Sequence, residues 1–144
     1  MQQPKRSKFI KVHRSRARNA VSHYDGCQFG EFGLKSLECG ELSAKQLEAA
    51  RRVVNRRLKR QAIVHVRPFP SSPRTAKAVG TRMGKGKGAI DRWVSSIRAG
   101  QIILEVEGAT DARAVKGHLM SAAHKLSVKC VVVERELGVR LDRA

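Results

Sequence analysis

The stretch from Ser43 to Arg67 reads SAKQLEAARRVVNRRLKRQAIVHVR, and its two halves follow different periods. In the first half, Leu47, Ala50, Val54 and Leu58 recur at helical spacing and make one apolar stripe. Ser43 precedes that stripe and Gln46 stands three residues later, the capping-box pattern that satisfies the free amides of a helix start. A helix is predicted over 43–60. In the second half, residues 62–67 alternate and are rich in β-branched side chains, which predicts a strand. Ala62, Val64 and Val66 would face one way, with Ile63, His65 and Arg67 the other. Pro68 and Pro70 end the strand, since proline has no N–H for a ladder. His65 reads as a surface or edge histidine, with no second histidine or carboxylate at ligand spacing.

The other side of the helix carries charge. Lys45, Arg52, Arg56 and Lys59 lie opposite the apolar stripe, and Arg51, Arg57 and Arg60 flank them. Glu48 is the only acid inside the helix, whereas a merely solvated helix interleaves both signs. A membrane-surface helix would place Trp or Phe on its apolar face, and this one has small aliphatics. The pattern reads as a helix packed on a sheet by one face and facing RNA phosphates with the other.

Outward from this pair, residues 92–97 and 101–107 read as strands joined by a turn at Ala99-Gly100, with Trp93 in the core. Ile102, Leu104 and Val106 alternate with Gln101, Ile103, Glu105 and Glu107, and the two glutamates read as exposed side chains near a strand end. Thr110 can cap a second helix over 111–126, buried through Ala112, Val115, Leu119, Ala122 and Leu126. A last strand is expected over 128–136, with Val131 and Val133 on one face and Val128, Cys130 and Val132 on the other. Upstream, Gly26, Gly30 and Gly33 alternate with Phe29 and Phe32, suggesting a bent strand where backbone approaches something closely. Core packing explains the two Phe residues at least as well as base stacking. Strands packed by two helices imply an α+β class, a two-layer sandwich of a mixed or antiparallel sheet with two helices. A single domain over 1–144 is expected, bearing a basic arm over 1–20 and a long basic loop over 68–91.

The whole chain is basic. Lys and Arg number 30 against 12 Asp and Glu among 144 residues, a net charge of +18 with a pI near 11.1. Clustered cations at such a pI are the footprint of a nucleic-acid binder. Aromatics are only 4%, which argues against a stacking platform for single strands. The arm carries Lys5, Arg6, Lys8, Lys11, Arg14, Arg16 and Arg18 with no acid before residue 19. Such a block repels itself and orders on a polyanion. The loop holds three prolines, then Arg74, Lys77 and Arg82, then Gly84-Lys85-Gly86-Lys87-Gly88. Glycines let backbone amides approach phosphate, and lysines supply charge. Arm, helix and loop together could neutralise on the order of 10 phosphates.

Other chemistry is poorly supported. Lys85, not glycine, stands five residues after Gly80, and no Ser or Thr follows the lysines after Gly84 and Gly86, so the P-loop spacing fails. The dinucleotide fingerprint fails at Ala89. His118 and His124 are six apart and fall on different helix faces. No catalytic constellation, metal site or cofactor site is expected. Cys27, Cys39 and Cys130 lack a C-x-x-C spacing and read as small, partly buried thiols in a reducing compartment. No apolar run of about 18 residues stands in the sequence to cross a membrane.

Four motifs in order resemble one family. Gln3-Pro4-Lys5-Arg6-Ser7-Lys8-Phe9, Phe29-Gly30-Glu31-Phe32-Gly33-Leu34-Lys35 and Leu42-Ser43-Ala44-Lys45-Gln46-Leu47-Glu48-Ala49-Ala50-Arg51-Arg52 look like large-subunit ribosomal protein sixteen. So does Arg82-Met83-Gly84-Lys85-Gly86-Lys87-Gly88, the most specific of them, and the likeness runs from about residue 3 to 133. The resemblance implies an α+β sandwich on large-subunit rRNA near the A-site tRNA elbow, joining late in assembly and helping to shape the peptidyl-transferase region. It implies neighbouring large-subunit proteins as partners, no homo-oligomer and no enzymatic activity. Arg82 to Gly88 and the arm are expected to reach rRNA near the tRNA path. Arg51, Arg52, Arg56, Lys59 and Arg60 are expected against rRNA. The chain departs from the bacterial pattern at His23-Tyr24-Asp25-Gly26-Cys27, at Glu31, Glu38 and Glu41, and over 74–80, while Ala122-Ala123-His124-Lys125-Leu126 resembles plant-type mitochondrial members. A mitochondrial ribosome is the expected location, with a bacterial or plastid one as the alternative. A free RNA-binding regulator or RNA-modifying enzyme subunit is the alternative role.

Overall fold

A computed structural model describes residues 2–14 and 26–135 of the chain. Its elements run β1 (Phe32–Ser36), β2 (Gly40–Ser43), α1 (Ala44–Arg57), β3 (Ile63–Val66), β4 (Ser72–Ala76), β5 (Ala89–Ile97), β6 (Ile102–Glu107), α2 (Ala112–Ala123) and β7 (Cys130–Glu134). The expected α+β class holds. Every strand pairing is antiparallel, and the strands divide between two sheets, of order β3-β6-β1-β7 and β2-β5-β4. Periodicity gives no hint of that division, because it reports faces and not partners.

The capping box forms as its residues predict. Ser43 Oγ accepts from the Gln46 amide at 3.2 Å, and Gln46 Oε1 accepts from the Ser43 amide at 2.8 Å. Leu47, Ala50 and Val54 are buried as the stripe requires. Helix α1 stops at Arg57, short of the expected 60, because Lys59 and Arg60 adopt left-handed backbone with φ of 49° and 64°. Asp111, not Thr110, caps α2 by accepting from the Arg113 and Ala114 amides at 3.0 and 3.2 Å. This start leaves Ala112 exposed at the helix mouth while Val115, Leu119 and Ala122 are buried.

Both helices cover one face of the four-stranded sheet. Their apolar residues share a core with Phe32, Leu34, Leu104 and Val106, and with Val64, Val66 and Val132 at its margin. Burying this aliphatic surface is the main favourable term, at about 25 cal/mol per Å². Trp93 is half-buried and stands outside that core, opposite Pro73 across the β4–β5 ladder.

The stretch expected as one connection over 68–91 is interrupted. Residues 72–76 form β4 and pair with β5, which begins at Ala89, so the stretch is divided into a short connection over 68–71 and a loop over 77–88. A proline-containing strand escapes sequence reading, since Pro73 looks like a breaker. The central strands β1 and β6 are buried on both faces. Residues 26–30 cross the sheet face away from the helices. Gly30 fits there because a Cβ at that position would lie 2.4 Å from the Val106 carbonyl oxygen, the close approach expected of it.

Candidate nucleic-acid interface

The described arm carries no helix or strand and runs over the surface. Gln2 borders a recess with Lys45 and Arg52 of α1, and Gln3 another with Ser43, Lys45 and Trp93. Further along, Lys11 Nζ donates to the Lys87 carbonyl at 2.9 Å and Lys87 Nζ donates to the Val12 carbonyl at 2.7 Å. Arg14 approaches Glu41 at 3.4 Å. The three basic segments picked out along the chain therefore adjoin one another, the arm passing from α1 to the loop. Lys5 is exposed with Arg6, Lys8, Lys11 and Arg14. Arg16 and Arg18 lie outside the described residues.

The loop has its own geometry. Gly84, Lys85 and Gly86 are consecutive left-handed residues, with φ of 108°, 56° and 83°. Glycine takes this region freely, but Lys85 adopts it at some cost, and such strain clusters at functional segments. Lys77 Nζ donates to the Gly84 carbonyl at 2.5 Å, and a Cβ at Gly88 would sit 2.3 Å from the Ala76 carbonyl oxygen. The base of the loop is thus held against β4 while Arg82, Met83, Lys85 and Lys87 project, Met83 being 98% exposed.

The arginines of α1 are unequal. Glu48 accepts from Arg51 Nε and Nη2 at 2.9 and 2.8 Å and from Arg52 Nε at 2.8 Å. Hydrogen bonding from Arg51, then Arg52, holds the Glu48 carboxyl down at about 2, against partial desolvation. Arg56 and Arg57 are exposed beyond this pair. Lys59 and Arg60 lie past the helix end, so they extend the cationic surface around the α1 terminus and do not continue its row.

Two residues read otherwise in sequence turn out to be structural. Arg74 donates from Nε and Nη2 to the two Glu41 oxygens at 2.9 and 2.6 Å, and this bonding lowers the Glu41 pKa. It is therefore spent inside the protein and not on phosphate. Glu105 is fully buried, not exposed. Its Oε2 accepts from the Gln28, Phe29 and Gly30 amides at 3.0, 2.7 and 2.9 Å, and its Oε1 from Arg67 Nη1 at 2.7 Å. The acid spacing in β6 gave the correct face, but nothing in sequence said that residues 26–30 would lie over it. His65 meets a carboxylate after all, Glu107 at 2.9 Å, brought across the β3–β6 ladder. Among the described residues no group of three or more His, Cys, Asp or Glu could hold a metal, and no helix is long and apolar enough to cross a membrane. Cys27, Cys39 and Cys130 form no disulfide with one another, and desolvation raises the thiol pKa of Cys27 and of Cys130, the latter to about 11.

Comparison with known proteins agrees with the motif order. The family described as ribosomal protein L16p/L10e matches residues 4–133. A large ribosomal subunit protein uL16 from Fusobacterium nucleatum is 42% identical over 136 residues, 94% of both chains. One from Aeromonas hydrophila is 44% identical over 133 residues, 92% of this chain and 96% of the relative. One from Coxiella burnetii is 42% identical over 135 residues, 94% of this chain and 98% of the relative.

Proposed function

The chain belongs to the ribosomal protein L16p/L10e family, and from that membership we propose that it is a structural, non-catalytic constituent of the large ribosomal subunit, bound to large-subunit rRNA. The observation that carries the binding surface is the pair of bonds from Lys11 Nζ to the Lys87 carbonyl and from Lys87 Nζ to the Val12 carbonyl, which brings the basic arm and the basic loop together. Like charges held side by side favour a polyanion, and each phosphate neutralised releases counterions. In this reading Lys5, Arg6, Lys8, Lys11, Arg14, Arg16 and Arg18 of the arm grip rRNA beside Arg51, Arg52, Arg56, Lys59 and Arg60.

The loop Arg82 to Gly88 reaches toward the A-site tRNA and contributes to late assembly. The exposed Lys85, on left-handed backbone between Gly84 and Gly86, and the exposed Arg82 support that role. Neighbouring large-subunit proteins are the other partners, and no homo-oligomer forms. The mitochondrial ribosome is the compartment we favour, on residues 122–126. The relatives named above are bacterial and are compatible with the bacterial alternative.

Sucrose-gradient fractionation of native lysate, with the chain quantified across particles, tests this. One copy per large subunit through a moderate salt wash is expected. A signal confined to free fractions would overturn it in favour of a free RNA-binding regulator.

A further inference from the structure

We propose that the protein has a second phosphate site, for an RNA phosphodiester, in the recess between Arg67 and Arg98, on the sheet face away from the helices. The inference rests on the reading that the chain binds RNA. The recess encloses about 500 Å³ and is walled by Gln28, Arg67, Ser96, Arg98 and Gln101. It lies where the two sheets meet. Strand β5 belongs to one sheet and β6 to the other, and the turn between them carries Arg98 toward the end of β3, where Arg67 stands.

The side of the sheet follows from alternation. Leu104 and Val106 join the helices in the core, so Glu105 between them points the opposite way, and Arg67 bonds to Glu105. The recess is therefore separated from the α1 cations by the thickness of the sheet.

Arg67 is rigidly aimed. Its Nη1 donates to Glu105, its Nη2 donates to Gln28 Oε1 at 2.7 Å, and its guanidinium lies 4.7 Å from the centre of the Phe29 ring. A guanidinium offers more N–H groups than these two bonds use, and it is left a quarter exposed. Glu105 offsets the charge of Arg67, so the net positive charge of the recess comes from Arg98. The Arg98 side chain is exposed and makes no hydrogen bond or ion pair with the described residues. Its own amide donates to Gln101 Oε1 at 3.1 Å, which fixes the turn and leaves the Gln101 NH₂ free to donate. No described residue lining the recess is acidic. Two planar forks and amide donors around one concavity match the oxygens of a phosphodiester. With α1 on one side and this recess on the other, the protein would be held between two RNA segments.

The test titrates the full chain against a labelled large-subunit rRNA transcript over a range of KCl, comparing wild type with Arg98→Ala, Arg98→Lys and Arg56→Ala. The recess predicts that Arg98→Ala lowers the slope of log K against log salt by about one phosphate, roughly 0.7 to 0.9. Arg98→Lys keeps the slope and loses less affinity than Arg98→Ala. If Arg56→Ala weakens binding while Arg98→Ala matches wild type, the recess proposal fails and the RNA reading stands. That is also the result expected if an acidic protein segment fills the recess. If wild type does not bind, the RNA reading itself fails.

Discussion

Arg67 and Glu105 meet at 2.7 Å across the β3–β6 edge, and the carboxylate is fully buried while the guanidinium is a quarter exposed. The ion pair is only part of the site. Three successive amides from residues 28–30 close on the other carboxylate oxygen, so one side chain fastens an irregular segment to the sheet.

Glu105→Gln keeps the shape and removes the charge that four donors share. Breaking a buried, hydrogen-bonded charge pair costs about 3 kcal/mol or more. Urea unfolding of the full chain should show that loss, with the Phe29 segment becoming protease-sensitive before the core. A midpoint equal to wild type would mean that this carboxylate does not fasten the segment.

Gly30→Ala and Gly26→Ala should differ sharply. A Cβ at Gly30 would press on the Val106 backbone, which cannot move aside without shifting a central strand, whereas nothing lies within 4 Å of a Cβ at Gly26. Overpacking of this kind costs about 1–3 kcal/mol. Thermal unfolding should place Gly30→Ala well below wild type and Gly26→Ala beside it. Equal melting temperatures would refute the close approach.

Acid should destabilise the protein through Glu48. Its folded pKa is about 2 against an unfolded value of 4.5, so the unfolded chain binds more protons between those values. The contribution is present in full above 4.5 and is lost as pH falls toward 2. Glu41, lowered by its bonds from Arg74, adds in the same direction. Glu48→Gln should flatten the fall of stability between pH 4.5 and 2 when unfolding is followed by circular dichroism. An unchanged profile would show that the bonds from Arg51 and Arg52 do not persist in solution.

Lys85→Ala with Lys87→Ala should impair the ribosome and leave the domain folded. Both side chains are exposed, and such changes rarely move stability by more than about 0.5 kcal/mol. The Lys87 change also removes the bond to the Val12 carbonyl and leaves the bond from Lys11 to the Lys87 backbone carbonyl to tie arm to loop. Late-assembly intermediates and slowed tRNA accommodation are expected in cells carrying only the variant. Normal particles and translation rates would rule out the loop's proposed role.

The sequence by itself determined the α+β class, the capping box at Ser43 and Gln46, the buried stripe of α1 and the basic character of arm, helix and loop. These are local or compositional: a helical period, a cap spacing and a charge count are complete within a few residues of chain. Residue order also carried the family likeness, through motifs separated by known distances. Tertiary structure alone decided the rest. It split the strands into two sheets, made Ser72–Ala76 a strand despite Pro73, turned Arg74 inward to Glu41, and buried Glu105 beneath residues more than 70 positions away. Each of these is a pairing between distant segments. A lone carboxylate in a strand looks solvent-facing until the amides and guanidinium that satisfy it arrive from elsewhere, and only the folded chain brings them.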